Sequence, residues 1–275
     1  MACRDVEQCK MIRREIVLNT GHGAIACRHL DLEDIDSINK FADDVIASEP
    51  HIDILINNAG VKHVKERTLT KYGIEKNFFV NFIAPYYLTF RLMDKLKESA
   101  SHTFDSRIIN ITGSPKRSWD VDLDDINFER RKYHPKKAYY QSKLALSYFT
   151  ILLDKFCRED KNCVYVFGAS PGTEHISKSL HQPINAWEEV SELVINYWNA
   201  KPSWVTKAVV RCATDPGMTD DHSGRLYSYL SVSVWGWGKA AKDEIKAKLV
   251  WNYAARALLN ITKEQSPKSQ VKEGT

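Results

Sequence analysis

A phenol and an ammonium stand four residues apart in Ala138-Tyr139-Tyr140-Gln141-Ser142-Lys143. On a helix, Tyr139 and Lys143 project from one face. A lysine ammonium beside a phenol stabilises phenolate and lowers the tyrosine pKa toward a useful value. Such a tyrosine can protonate a carbonyl oxygen, or deprotonate an alcohol, while a hydride moves. Taken alone, this spacing usually marks a surface pair. Upstream, however, Asn57-Asn58-Ala59-Gly60 closes the apolar run Asp53-Ile54-Leu55-Ile56. Ala and Gly there permit close backbone approach, the Asn side chains can brace neighbouring loops, and open parallel sheets bind ligands at the carboxyl ends of their strands. An ordinary Asn/Gly turn is the alternative. Taken with Tyr139 and Lys143, the strand end points to nicotinamide-dependent oxidation and reduction.

The elements that must position these groups follow from hydrophobic periodicity. Residues 5–17 carry Val6, Cys9, Ile12 and Ile16 close to a helical period, and residues 33–48 repeat it through Ile35, Ile38, Phe41 and Val45. Ala24 to Leu30 reads as a strand, as do Ile52 to Ile56, Arg107 to Ile111 and Cys163 to Phe167. Long helices are expected over 72–97 and 137–157, and further ones near 186–199 and 240–259. Gly224 to Leu230 is a candidate last strand. Apolar strands alternating with helices predict an α/β fold, a doubly wound parallel sheet covered on both faces. One domain over residues 1–262 is expected, followed by a polar tail over 263–275.

At 275 residues a substantial core is available, with 43% apolar and 27% charged residues. The net charge of +4 is small, and basic residues interleave with acidic ones, as in Lys242-Asp243-Glu244. That pattern is a solvated helix face, not a nucleic-acid surface. No apolar run is long enough to span a membrane, and the charged N-terminus is no signal peptide. The six cysteines show no metal-type spacing and read as reduced thiols, so no metal is expected. Asn110-Ile111-Thr112 matches a glycosylation acceptor but lies in a predicted buried strand.

These motifs resemble the short-chain dehydrogenase/reductase family, in particular its retinol dehydrogenase-like branch. The likeness is carried by Ala2-Cys3-Arg4-Asp5, His29-Leu30-Asp31-Leu32, Asp53 to Gly60, Arg107-Ile108-Ile109-Asn110, Ala138 to Ala145 and Pro171-Gly172, and thins after about residue 175. Ser223-Gly224-Arg225 is similar to that branch's last strand. The resemblance implies a Rossmann-like sheet and NADP(H), rather than NAD(H), as cofactor. By it, Tyr139 is the acid/base, Lys143 holds the nicotinamide ribose, and Asn81 supports a proton-relay water. Asp31 would sit beside adenine, with Asn58, Ala59 and Gly60 beside the cofactor ribose. Pro171 and Gly172 would lie at the nicotinamide. Arg4 falls where NADP-preferring members place an arginine, whose guanidinium suits a 2′-phosphate.

The sequence departs from the family at three places. Three residues beyond Asn110, where the family's catalytic serine belongs, stands Gly113; a bulge there would let Ser114 supply the hydroxyl. Four residues beyond Gly172, Ile176 replaces the family's threonine. The glycine-rich turn that opens a helix is missing: Thr20-Gly21-His22-Gly23 precedes a strand, and reads as a loop from the first helix to it. The expectation is an N-terminally truncated fold without first strand, first helix and second strand, leaving unpaired sheet edges.

The functional expectation is an NADP(H)-dependent oxidoreductase interconverting a lipophilic alcohol and its aldehyde or ketone. Trp187, Trp198, Trp204, Tyr227, Trp235 and Trp237 are candidates for a greasy pocket, or equally for the core. The alternative is a non-catalytic or poorly folding relative acting as a protein-binding module. The resemblance further implies a homodimer through the helices near 72–97 and 137–157. The expected location is cytoplasmic, with attachment to the endoplasmic reticulum or another membrane if an upstream segment carries an anchor.

Overall fold

A computed structural model describes residues 1–62, 64–100, 105–113, 119–160, 163–170, 206–228, 231–232 and 237–265. The chain opens with β1 (Ala2–Cys3), α1 (Val6–Thr20), β2 (Arg28–His29) and α2 (Ile35–Ser48). β3 (Ile54–Asn57) leads to a long helical passage. It begins as α3 (Lys76–Phe78), widens into a π-helical turn over Phe79–Ile83 and continues as α4 (Ala84–Ser99). β4 (Ser106–Ile111), α5 (Pro135–Glu159) and β5 (Val164–Ser170) form the middle of the domain. α6 (Lys207–Thr214), β6 (Leu226–Ser228), β7 (Ser231–Val232) and α7 (Glu244–Gln265) follow.

Strands β3, β4, β5 and β6 lie side by side and parallel, with β7 added antiparallel to β6. Alternation along β4 and β5 divides the core between two faces. Ile108, Val164 and Val166 point into the larger cluster, with α2, α4, α5 and α7. Ile109, Ile111, Phe167 and Ala169 point the other way, against Ala208 and Cys212 of α6, Met218 and Tyr227. Strands buried on both faces need an apolar residue at nearly every position, which is why they read as continuous runs. This is the doubly wound, Rossmann-like arrangement the sequence implies.

β1 and β2 pair with each other, in parallel, in a sheet of their own. Among the described residues β3 is the edge of the five-stranded sheet, and Ile56 on it is 43% exposed. α1 is also less covered than its periodicity predicts: Cys9 is buried, but Met11, Ile12 and Leu18 are exposed. Its ends account for Thr20-Gly21-His22-Gly23. Asp5 caps the N-terminus, accepting from the Gln8 amide at 2.9 Å. Gly21, at φ 72°, caps the C-terminus in the left-handed conformation that favours glycine. The segment joins α1 to the residues before β2 and makes no helix start, as expected from its position.

Other expectations are corrected in detail. The helix foreseen over 72–97 starts at Lys76 because residues 69–75 turn back on themselves, with the Leu69–Glu75 bridge closing the turn. The strand foreseen from Ala24 shrinks to Arg28–His29. α7 runs on to Gln265, past residue 262. Tyr227 and Trp237 are core residues, not pocket walls: Tyr227 lies in the smaller cluster, and the Trp237 ring packs against Gly168 with its Nε1 donating to the Gly224 carbonyl. Trp187, Trp198, Trp204 and Trp235 lie outside the described residues, as does the helix expected near 186–199.

The cysteine reading also changes. Cys9 and Cys27 form a disulfide, with Cα atoms 6.0 Å apart, because the turn after α1 folds the chain back along the helix. Cys3, Cys157, Cys163 and Cys212 are free thiols. Denatured protein prepared without reductant is therefore expected to show four reactive thiols to a chromogenic disulfide reagent. Reduction should expose the remaining pair and lower stability by about 2–4 kcal/mol. Six reactive thiols before reduction would refute the pairing.

Candidate active site

The Asn57–Gly60 strand end and the Tyr139–Lys143 helix start meet at the carboxyl ends of β3 and β4. Beneath them lies a buried amide bridge. Asn57 Nδ2 donates to Asn110 Oδ1 at 2.8 Å and to Thr89 Oγ1 at 3.0 Å. Asn110 Nδ2 donates in turn to Thr150 Oγ1 at 3.0 Å. Asn57 and Asn110 are register partners on β3 and β4, so the bridge levels the two strand ends and ties them to α4 and α5. Buried polar groups keep such geometry because breaking one bond leaves another group unsatisfied.

Asn81 is the second anchor. It lies in the π-helical turn Phe79–Ile83, a departure from α geometry that recurs at functional sites. Its Oδ1 accepts from the Val61 amide and its Nδ2 donates to the Val61 carbonyl, each at 2.8 Å. Nδ2 also donates to Ser142 Oγ at 2.9 Å. The side chain thus clamps the residue after Gly60 to the start of α5. Gly60 fits tightly beneath the clamp: a Cβ there would lie 2.6 Å from Asn81 Oδ1 and 3.9 Å from Lys143 Nζ.

Lys143 is buried, and its Nζ donates to the Ile111 carbonyl at 2.6 Å. Burial pulls its ammonium down to about 8 from the usual 10.5, because a charge is costly away from water. Tyr139 is half-buried, with Lys143 Nζ 6.0 Å from its ring centre. Tyr140 beside it stacks on Trp119 at 4.6 Å. Lys62 is a residue that sequence reasoning missed. It is buried to 5% exposure, with its Nζ 6.0 Å from the Tyr139 ring centre. In Val61-Lys62-His63-Val64-Lys65 it reads as one more solvated charge, and nothing local marks it.

The remaining candidates are more dispersed. Asn58 and Ala59 are exposed on the strand-end loop. Asp31 follows β2 and turns the chain, its Oδ1 accepting from the Glu33 amide at 2.9 Å. Arg4 follows β1 and is exposed, with Nη1 3.6 Å from Glu33 Oε1. Arg4 and Asp31 thus follow the two paired strands. Gly113, two residues beyond the end of β4, has φ 80°, the left-handed conformation that favours glycine. Ser114, Pro171, Gly172 and Ile176 lie outside the described residues.

For a nicotinamide cofactor this strand end offers the further N–H donors of Lys143, close beside Gly60, where the absence of a Cβ makes room for the Asn81 side chain. For the pyrophosphate the described residues supply less. The N-termini of α1 and α2 are already capped by the Asp5 and Asp34 carboxylates, which repel an anion where a helix N-terminus would otherwise attract it. Among the described residues no cluster of His, Cys, Asp or Glu is placed to hold a metal ion.

Comparison with known proteins identifies the family. The model of the short chain dehydrogenase family matches residues 2–116. Retinol dehydrogenase 11 of Mus musculus is 36% identical over 258 residues, 94% of this chain and 77% of that protein. Retinol dehydrogenase 13 of Homo sapiens is 40% identical over 185 residues, 67% of this chain. That match spans only 54% of the human protein's length. A solved structure of an uncharacterized protein from Mycobacterium paratuberculosis superposes with a TM-score of 0.69 at 25% identity, covering 94% of this chain and 82% of that one. The Pseudomonas aeruginosa RhlG/NADP complex, at 20% identity and TM-score 0.59, shares the fold over 82% of each chain. The chain belongs to the short-chain dehydrogenase family. Within it, the chain falls in the retinol dehydrogenase-like branch.

The depressed Lys143 value has a measurable sign. A lysine whose folded pKa lies below its unfolded one binds fewer protons folded than unfolded between the two values, so stability rises with pH across that window. Relative to Lys143→Met, the unsubstituted protein is expected to gain roughly 2–3 kcal/mol between about pH 7.5 and 10.5, read from urea denaturation. A difference that stays flat with pH would show that Lys143 is not desolvated.

Proposed function

We propose that this protein is an NADP(H)-dependent oxidoreductase that interconverts a lipophilic alcohol and its aldehyde or ketone. The observation that carries the reading is the convergence of Tyr139, Lys143, Asn81 and Gly60 from three separate parts of the chain onto one strand end. NADP(H) would supply and accept the hydride. Tyr139 gives its phenolic proton to the carbonyl oxygen in reduction and takes it back in oxidation. Lys143 stabilises the phenolate and presents donors to the nicotinamide ribose. Asn81 holds the Val61 backbone, and with it the Gly60 approach, in place. Ser114 would orient the carbonyl from just beyond the turn at Gly113. Pro171 and Gly172 would flank the nicotinamide.

The lipophilic substrate rests on the branch, whose members are named retinol dehydrogenases. The NADP(H) preference over NAD(H) rests on Arg4, an exposed guanidinium just after β1, with Nη1 3.6 Å from Glu33 Oε1. A single domain, pairing of two copies through α4 and α5, and a cytoplasmic or membrane-attached location belong to the same reading. No helix among the described residues is long and apolar enough to cross a membrane.

A second reading is favoured by the exposed β3 edge, with Ile56 open to solvent, and by the exposed apolar residues of α1. An unpaired edge invites another strand, and on this reading the chain is a protein-binding relative without turnover. NADPH binding by well-folded protein, followed by thermal shift, separates the two: no binding ends the oxidoreductase reading.

Tyr139→Phe is expected to lower NADPH-dependent reduction of a lipophilic aldehyde by at least about 100-fold, with NADPH affinity nearly unchanged. Retained turnover would remove Tyr139 from the acid/base role. Arg4→Asp is expected to shift preference toward NADH, measured as the ratio of kcat/KM values for the two cofactors. An unchanged ratio would remove Arg4 from phosphate recognition.

A further inference from the structure

Lys62 is a buried ammonium for which the mechanism above has no use. Its segment is pinned on both sides. Asn81 bonds both the amide and the carbonyl of Val61 at 2.8 Å. Two residues beyond Lys62, the Tyr133 hydroxyl donates to the Val64 carbonyl at 2.8 Å. Tyr133 is itself set by the buried Asn77, whose Nδ2 lies 3.4 Å from its hydroxyl and 2.7 Å from Glu75 Oε1. Burying a lysine head group costs stability unless something nearby stabilises its charge. A segment clamped at both ends does not let the side chain swing freely to water.

The Tyr139 ring is therefore met by two ammonium groups from different elements. Lys143 comes from the same helix and Lys62 from the loop after β3, each with its Nζ 6.0 Å from the ring centre. Among the described residues Tyr140 also lies against it, at 5.9 Å between ring centres. Two cations facing one phenol favour its anion over its neutral form.

We propose that Lys62 is a second positioning cation of the Tyr139 site, sharing with Lys143 the stabilisation of the phenolate. The inference rests on the reading of Tyr139 as acid/base and adds a residue to it. Its consequence is division of labour. Lys143, committed to the Ile111 carbonyl and the ribose side, need not balance the phenolate alone.

The test reads Tyr139 directly, without cofactor or substrate. Tyrosinate absorbance is titrated in the full chain, and the Tyr139 transition is assigned as the one missing in Tyr139→Phe. In Lys62→Met that transition is expected to move up by about one pH unit, and Lys62→Arg is expected to restore it. Lys62→Gln gives the same reading should the Met variant unfold. A Tyr139 transition that stays in place in a folded Lys62 variant overturns the proposal. So does a shift that Lys62→Arg fails to reverse, since that would be a packing effect. The two readings fail separately: absent turnover with a Lys62-dependent transition would sink the oxidoreductase, whereas turnover with an unmoved transition would sink only the role of Lys62.

Discussion

The hydrogen bond from Asn57 to Asn110 is the constraint on which the site depends. Two amides on adjacent parallel strands, both buried, can satisfy each other only in one register, because a slip of one residue would send each to the opposite face. That register brings Asn57 level with Asn110, so Gly60 and Lys62 leave β3 beside the point where Ile111 ends β4. Thr89 and Thr150 extend the same network into α4 and α5. The helix carrying Tyr139 and Lys143 is thereby tied to the strand ends it serves. Apolar packing on the two faces of the sheet supplies the bulk of the stability, whereas this short polar chain decides where the site lies.

Above that base, the site is a set of clamps on backbone. Asn81 holds Val61, Tyr133 holds Val64, and Lys143 holds Ile111, each through a carbonyl or an amide. Such bonds fix main chain more firmly than side-chain pairs would, because the backbone has fewer torsions to relax. The π-helical turn at Phe79–Ile83 belongs to the same economy of placement. It advances Asn81 out of the ordinary helical rotation and toward Val61, while Phe79, Phe82 and Ile83 remain buried in the core. The β1–β2 pair is different in kind. It hydrogen-bonds to itself and is followed on its two strands by Arg4 and by Asp31, and Cys9–Cys27 ties α1 to the residue before β2.

Much of this was legible before any coordinates. The alternation of apolar runs with helical periods predicted the parallel sheet because strands covered on both faces have no polar side to show. Tyr139, Lys143, Asn81 and Gly60 were named from spacing and family likeness, and the structure brings those four together. The position of Thr20-Gly21-His22-Gly23 before a strand marked it as a connection, and Gly21 proved to be a helix cap. Less legible were α6, the hairpin strand β7 and the π turn. The first two are short, and the third changes the bond pattern without changing the hydrophobic period.

Taken by itself, the amino-acid sequence determined the family, the sheet-and-helix order and the spacing of Tyr139 and Lys143 on one helix, since those depend on local period and on residue type. Tertiary structure alone decided what depends on juxtaposition. Cys9 met Cys27 because the chain turns back after α1. Tyr227 and Trp237 became core because their faces of the sheet were already apolar. Lys62 became a buried cation at Tyr139 because two distant side chains clamp the loop on either side of it. A lysine's chemistry is set by what surrounds its ammonium, and one sequence position carries no record of that.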